Sequence, residues 1–264
     1  MKISVITVNL NGSRFLAESI ESVLGQNHQE VELVIVDGCS TDESLAIIEA
    51  AAGRDCRVRW ISEPDKGIAD AMNKGISLTS GDIVGFLHSD DRYPEPGTLS
   101  AIAAEFVATP DAVWLTGGID LINAQGETFR SYRVRRFNYT RLVRSNILFH
   151  PATFVRTDAL RECGMFDPGL RLAMDYDLWL RLGALGDPIL LDRSSACFRV
   201  HGDSRSIRAA GDALAEEFAI RCRFLRGMGR RLFPFYLDYQ VKRILNMFFI
   251  RRLTHLSAQG LPHA

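Results

Sequence analysis

Few cysteines and no long apolar run limit what this chain of 264 residues can be. The five cysteines are an odd number and form no CxxC pair, so neither a disulfide framework nor a zinc site is expected. A reducing, cytoplasmic location fits this pattern. No run of about 18 uncharged apolar residues occurs, so no spanning helix is expected. The opening MKISVITVNLNG becomes polar at Asn9 and Asn11, which favours a first strand over a signal peptide.

Charge is unevenly distributed, although the formal net charge is only −1. Residues 1–217 carry 22 basic and 31 acidic residues, whereas residues 218–256 carry nine basic residues and a single acid, Asp238. A basic tail after an acidic body indicates an anionic surface or partner for the tail.

The basic tail also carries apolar residues at helical spacing, namely Leu237, Val241, Ile244, Leu245 and Phe248. Two interpretations stay open. The tail could form a helix lying on the anionic cytoplasmic face of a membrane, or a helix packing on its own domain. The charge would also suit nucleic acid, but no recognition motif is present, so nucleic acid is not expected as a partner.

The first half of the chain alternates between two hydrophobic periods. Short β-branched runs predict strands at Ile3–Val8, Val31–Val36, Val58–Ile61, Ile83–Leu87 and Ala112–Leu115. Helical patterns lie between them, at about 14–25, 42–52, 67–79 and 97–108. This alternation predicts an α/β fold with a mostly parallel, buried sheet and helices on both faces.

The second half is predicted with mixed elements. A hairpin is expected over 117–136, a strand near Ala152–Val155, and a helix from about Asp175 to Leu185. Two short strands are expected near Ile189–Leu191 and Ala196–Val200.

Polar side chains follow four successive predicted strands. They are Thr7 and Asn9 after the first, Asp37 after the second, Asp65 after the third and Asp90 with Asp91 after the fourth. In parallel sheets, ligands bind beyond the carboxyl ends of the strands, so we expect a binding site at this edge. A single acidic residue at the end of a strand could cap the following helix, but capping explains polar residues at four successive strand ends less well.

The adjacent acids Asp90 and Asp91 repel each other and are tolerated where a cation neutralises them. Their hard oxygen atoms suit Mg²⁺ or Mn²⁺, which commonly bridge a diphosphate. Taken alone, the pair is also compatible with a solvated turn. Asp175 and Asp177 lie at the start of a predicted helix, and their side chains point apart. One could cap or stabilise the helix while the other faces the binding site.

Six motifs, in this order, resemble the large inverting glycosyltransferase family 2. The resemblance covers roughly residues 2–205. The motifs are Val5–Asn9, Val36–Asp42, Glu63–Gly75, Gly81–Asp82 leading to Ser89–Asp91, Asp175–Arg181 and Arg199–Ser204.

The resemblance implies a GT-A domain over 1–205, with a nucleotide-sugar-binding half (1–116) and an acceptor-binding, catalytic half (117–205). A C-terminal helical extension would follow over 206–264. It implies that Asp91 and His201 hold Mg²⁺ or Mn²⁺ and that Asp175 is the catalytic base. Further residues are expected to bind the nucleotide sugar: Thr7, Asn9, Asp37, Asp65, Lys66, Asn73 and Asp90.

The implied activity is transfer of a sugar from a nucleotide-diphosphate sugar to a glycan or lipid-linked acceptor, as in surface polysaccharide synthesis. The sequence departs from the family at Gly38, Ser89 and Met174, where many members carry an acid. These departures keep open a non-catalytic protein that binds a nucleotide sugar or glycan. The motif of processive synthases is absent, which favours single addition.

Two further features have open interpretations. The arginines between Arg133 and Arg144 could meet an acceptor diphosphate or could form a solvated surface. His150 could border the acceptor site, although a structural role is favoured.

Overall fold

The computed structural model describes residues 1–202, 209–227, 229, 232, 235–241 and 243. Eight strands form one sheet. In chain order they are β1 (Ile3–Asn9), β2 (Val31–Asp37), β3 (Val58–Ser62), β4 (Ile83–Phe86), β5 (Trp114–Ile122), β6 (Thr128–Tyr132), β7 (Thr153–Arg156) and β8 (Ile189–Arg199).

Helices fill the connections between these strands. They are α1 (Ser13–Leu24), α2 (Ser44–Arg54), α3 (Ile68–Leu78), α4 (Thr98–Ala108), α5 (Tyr139–Arg144), α6 (Thr157–Glu162), α7 (Met174–Leu185) and α8 (Ala210–Gly227). A short 3-10 turn, His150–Ala152, precedes β7. The strands and helices predicted up to residue 87, and α4 after them, agree with the structure to within two residues.

The sheet order is β3-β2-β1-β4-β7-β5-β6, and β8 pairs with β5. Strands β1 to β4 pair in parallel, and so do β5 and β8, whereas β7 runs antiparallel to both of its neighbours. The mostly parallel α/β fold is therefore confirmed. The carboxyl ends of β1, β2 and β4 lie at one edge, because parallel strands point the same way.

Alternating side chains of the strands supply two hydrophobic cores, one on each face of the sheet. Val5 packs with α1, α2 and α4 on one face. The next residue, Ile6, packs with α3, α5 and α7 on the other. Burial on both faces explains why these strands appear as continuous apolar runs rather than as alternating patterns.

The prediction of two short strands near 189–191 and 196–200 is wrong, because β8 is one strand from Ile189 to Arg199. The exposed residues Asp192 and Arg193 interrupt the apolar pattern, but the pairing with β5 continues through two register shifts beside Gly117 and Gly118. A Cβ at Gly117 would collide with the side chain of Ser195, so glycine permits this close approach.

The second half differs from the prediction in two more ways. The strand expected at Ala112–Leu115 continues into the hairpin as β5, so the sheet crosses the boundary expected after residue 116. Helices α5 and α6 were not predicted, because they have only six residues each and show little periodicity.

The tail falls largely outside the described residues. Residues 235–241 are helical, and Leu237 and Val241 are exposed there. Ile244, Leu245 and Phe248 lie outside the described part, so the apolar stripe stays a prediction. Within the described part, no helix is both long and apolar enough to cross a membrane.

Candidate active site

The loop after β2 is held by a buried polar cluster. The Asn9 amide donates to Asp37 Oδ1 (2.8 Å) and to Ser40 Oγ (3.1 Å). Asp37 Oδ2 accepts from the Ser40 backbone N–H (2.9 Å) and from the Ser62 hydroxyl (2.8 Å). Burial opposes ionisation, but these donors hold the pKa of Asp37 below its usual range. Asp37 is therefore an ionised anchor that fixes the start of the β2–α2 loop against β1.

Asp65 lies over this loop and depends on the glycine there. A Cβ on Gly38 would lie 2.6 Å from Asp65 Oδ2, so a larger side chain at this position would displace Asp65. Asp65 Oδ1 accepts from the Gly67 N–H (2.8 Å). Thr7 is buried within β1, whereas the Lys66 side chain is exposed beside Asp65.

Asn73 lies on α3 and contacts another segment. Its amide donates to the Phe166 carbonyl (2.8 Å), and its carbonyl oxygen accepts from the Phe166 N–H (3.0 Å). In this structure Asn73 thus joins α3 to the loop before α7. Its expected contact with the nucleotide sugar stays a prediction.

Asp90 and Asp91 follow β4 and differ in environment. Asp91 is 1% exposed, and burial, together with the charge of Asp90, raises its pKa well above the usual range. Its Oδ1 accepts from the Arg199 backbone N–H (2.9 Å), whereas its buried Oδ2 has no hydrogen-bond partner among the described residues. Burial opposes ionisation of Asp90 too, but a hydrogen bond from His201 lowers its pKa. Nε2 of that histidine lies 3.1 Å from Asp90 Oδ2.

These groups fit a divalent cation. A buried carboxylate oxygen without a partner is costly, and a cation on it would offset both the desolvation and the repulsion between the two acids. Carboxylate and imidazole groups suit Mn²⁺, and carboxylates suit Mg²⁺. Among the described residues, no three acidic, histidine or cysteine side chains converge on one point. Diphosphate oxygens and water would therefore complete the coordination, as is usual for Mg²⁺.

Arg199, at the end of β8, holds together the segments that surround the acid pair. Its guanidinium is 1% exposed and donates to Glu18 Oε2 (2.6 Å) and to the carbonyls of Asp90 (2.9 Å), Asn123 (3.2 Å) and Ala124 (3.1 Å). It therefore joins α1, the β4 loop and the β5–β6 turn. The guanidinium carbon of Arg199 lies 4.4 Å from the centre of the Phe15 ring. The centres of the Phe15 and His201 rings are 5.1 Å apart.

Arg199→Met should lower the free energy of unfolding by about 3 kcal/mol, because it removes the partner of several buried acceptors. Arg193→Met is the matched control on the same strand. Its pair with Glu95 is half exposed, so a loss of at most about 1 kcal/mol is expected. Urea denaturation would measure both, and equal losses in the two variants would contradict the anchoring role.

Asp175 lies in the first turn of α7. It accepts from the Tyr176 N–H at Oδ1 (2.7 Å) and from the Asn146 amide at Oδ2 (3.1 Å). Burial outweighs these donors and raises its pKa to about 6. A carboxylate of this kind is ionised at neutral pH and is still basic enough to accept a proton.

Asp177 faces away from Asp175. It is 8% exposed and pairs with Arg181 (2.8 Å) and with Arg223 on α8 (2.5 Å). Of the two acids at this helix start, Asp177 is therefore the buttress.

Asn146 adjusts the basicity of Asp175. Asn146→Leu should raise the pKa of Asp175 further, because the lost donor stabilised the ionised form. The acidic limb of the pH–rate profile should then move to higher pH. Asn138→Ala, which removes only the cap of α5, should leave the limb in place. An unchanged limb in Asn146→Leu would exclude this role.

Two stacked histidines lie on the segments next to the acid pair and next to α7. The rings of His88 and His150 are 5.2 Å apart and nearly parallel, at 12°. His88 is two residues before Asp90, and His150 also contacts Trp179, one turn after Asp175, at 5.9 Å. Burial lowers the pKa of both histidines, so both are neutral at pH 7. The stack therefore packs the loop after β4 against α7.

Sequence reasoning missed four residues of this site, namely Arg199, Glu18, Asn146 and His88. Only Arg199 carried a signal, since it opens one of the six motifs. The other three act through contacts between distant segments.

The mostly parallel sheet with helices on both faces defines the class of fold, which is GT-A. Two solved structures share the fold. TarS of S. aureus in complex with UDP-GlcNAc has a TM-score of 0.67 at 20% identity, over 85% of this chain and 67% of that one. The mannosyltransferase PcManGT of Pyrobaculum calidifontis, in complex with GDP-Man and Mn²⁺, has a TM-score of 0.66 at 20% identity, over 97% and 73%.

Sequence comparison gives the family. The model of glycosyl transferase family 2 matches residues 4–163, so the chain belongs to that family. An uncharacterised glycosyltransferase of Nostoc sp. is 30% identical over 228 residues, which are 82% of this chain and 70% of that protein. The predicted family and enzyme class are thus confirmed.

Proposed function

We propose that this glycosyltransferase moves a sugar, with inversion, from a nucleotide-diphosphate sugar to a hydroxyl of a glycan or lipid-linked acceptor. The observation that carries this proposal is the difference in environment between two acids. Asp91 is deeply buried, and one of its oxygens has no hydrogen-bond partner in the part of the chain that the structure describes, whereas Asp175 has a pKa of about 6. The first suits a metal–diphosphate, and the second suits a general base.

The steps follow from this placement. Asp175 takes the proton of the acceptor hydroxyl as that oxygen attacks the anomeric carbon from the side opposite the diphosphate. Attack in line inverts the configuration in a single displacement and needs no covalent intermediate. A bound Mg²⁺ or Mn²⁺ on Asp91, with His201 and Asp90 nearby, would neutralise the charge of the departing diphosphate. Asn146 orients the base, and Arg199 positions the acid pair.

The donor is bound, in this proposal, along the ends of β1 to β4. Asp65 and the Asn9–Asp37 cluster would line the pocket for ribose and base, over Thr7. Lys66 and Asn73 would border it. A setting in surface polysaccharide synthesis, at the cytoplasmic side of a membrane, fits the basic tail.

The test is calorimetric titration with UDP-, GDP- and dTDP-sugars, with and without Mn²⁺. We expect one donor class to bind tightly and only with the metal. If the folded protein binds none of them, or binds one equally well in EDTA, the proposed metal–diphosphate site is wrong. The titration would also name the donor class.

A further inference from the structure

The segment 128–157 has an unusual charge composition. Its thirty residues include seven arginines and no lysine, aspartate or glutamate. The body of the protein is otherwise acidic, so this positive segment stands apart from its surroundings. Like charges close in sequence repel each other, and that repulsion is relieved where an anion binds.

Three of the seven arginines lie in β6 or β7, or directly after β6. Arg133 pairs with Asp120 (3.1 Å), and Arg156 donates to three backbone carbonyls. Arg130 lies over the ring of Tyr132, at 4.9 Å. Arg135, Arg136, Arg141 and Arg144 make up the rest and are all exposed. The first three form no ion pair with any residue in the described part of the chain.

The position of α5 places these arginines beside the proposed base. Leu142 and Val143 are buried against α7, so α5 is fixed there. The hydroxyl of Tyr139 donates to the Leu180 carbonyl (2.9 Å), and that of Tyr176 to the Val143 carbonyl (3.0 Å).

Arg141 and Arg144 are three residues apart on α5 and therefore share its exposed face. Asn146 follows Arg144 by two residues, which span at most about 7 Å of chain, and donates to Asp175. Arg135 and Arg136 lie just before the helix. The four arginines therefore lie on the chain segment that leads to Asn146, which contacts Asp175.

We propose that Arg135, Arg136, Arg141 and Arg144 bind phosphate groups of the acceptor, so that the acceptor is a phosphate- or diphosphate-bearing molecule. The inference rests on the proposed function, because it places the acceptor hydroxyl at Asp175. Guanidinium groups suit this ligand, since they donate two parallel hydrogen bonds to a phosphate and stay charged.

The test uses geranyl diphosphate as the probe, with the donor site saturated by a nucleoside diphosphate and Mg²⁺. Wild type should bind the probe and should not bind geraniol, and the affinity should fall as salt is added. Arg136→Gln/Arg141→Gln should bind the probe about tenfold more weakly. The matched control is Arg54→Gln/Arg193→Gln, which removes the same charge from two other exposed sites and should bind as wild type does.

Three results would overturn the inference: no binding of the probe by wild type, equal binding by the Arg136/Arg141 variant, or equal weakening in the control. Vesicles of phosphatidylglycerol and of phosphatidylcholine form the second arm. Arginine-dependent binding to phosphatidylglycerol without binding of the probe would identify a membrane surface instead. Titration with nucleotide sugars separates the two proposals, because its failure would remove the proposed function whatever the probe shows.

Discussion

Asp175→Asn should lower the rate of sugar transfer by about 10²–10⁴-fold, the contribution of a positioned general base. Donor affinity should stay within about twofold, because the base acts only as the acceptor oxygen attacks. The amide keeps the size of the side chain and can still accept a hydrogen bond, so the fold should persist. Initial rates at saturating donor, beside calorimetric donor titration, measure the two effects separately.

The pH dependence of the wild-type enzyme follows from the same residue. Burial raises the pKa of Asp175 to about 6, so the base is protonated below that pH and transfer should decline there. The rate should reach its plateau above about pH 7, one unit above this pKa. Asp177→Asn is the control, since Asp177 pairs with Arg181 and Arg223 and faces away. A full rate in Asp175→Asn, or an equal loss in the control, would refute the base assignment.

Asp91→Asn should abolish metal-dependent donor binding and lower transfer by about 10³-fold, equivalent to roughly 4 kcal/mol of transition-state stabilisation. Without metal, the same substitution should leave stability at pH 7 unchanged or increase it. Burial and the charge of Asp90 disfavour the ionised carboxylate, and a neutral amide removes both penalties. The amide oxygen can still accept from the Arg199 N–H.

The opposite directions of these two effects make the prediction specific. Calorimetry with Mn²⁺ and donor measures binding, and thermal unfolding in EDTA measures stability. Asp192→Asn, an exposed acid on β8, should change neither. A clear loss of stability in Asp91→Asn, with donor binding retained, would show that Asp91 is structural.

The first half of the fold could be predicted from the sequence because its strands are buried on both faces. Continuous runs such as Val31–Val36 leave little ambiguity, and the helices between them are long enough to show their period. The polar residues at the ends of these strands could therefore be assigned to one edge of the sheet. The break inferred at Asp192 was wrong, because glycines on the partner strand β5 accommodate the irregular pairing with β8.

The supports of the site could not be predicted in the same way. Arg199 is buried because Glu18, 181 residues away in the chain, meets it together with the carbonyls of a hairpin turn. The amide of Asn146 reaches Asp175 only after α5 packs on α7. The local spacing of residues in the sequence contains no information about such contacts between distant segments. The sequence could suggest which acids react, whereas the tertiary structure is needed to see what tunes them.

The most direct test of the central claim is the anomeric configuration of the first-formed product. Proton NMR can record it before mutarotation, with water as acceptor if no glycan acceptor is in hand. Starting from an α-linked nucleotide sugar, the account predicts a β product, because attack opposite the diphosphate inverts the carbon once. An α product would contradict the account, since retention needs a mechanism in which Asp175 is not simply the base for a single displacement.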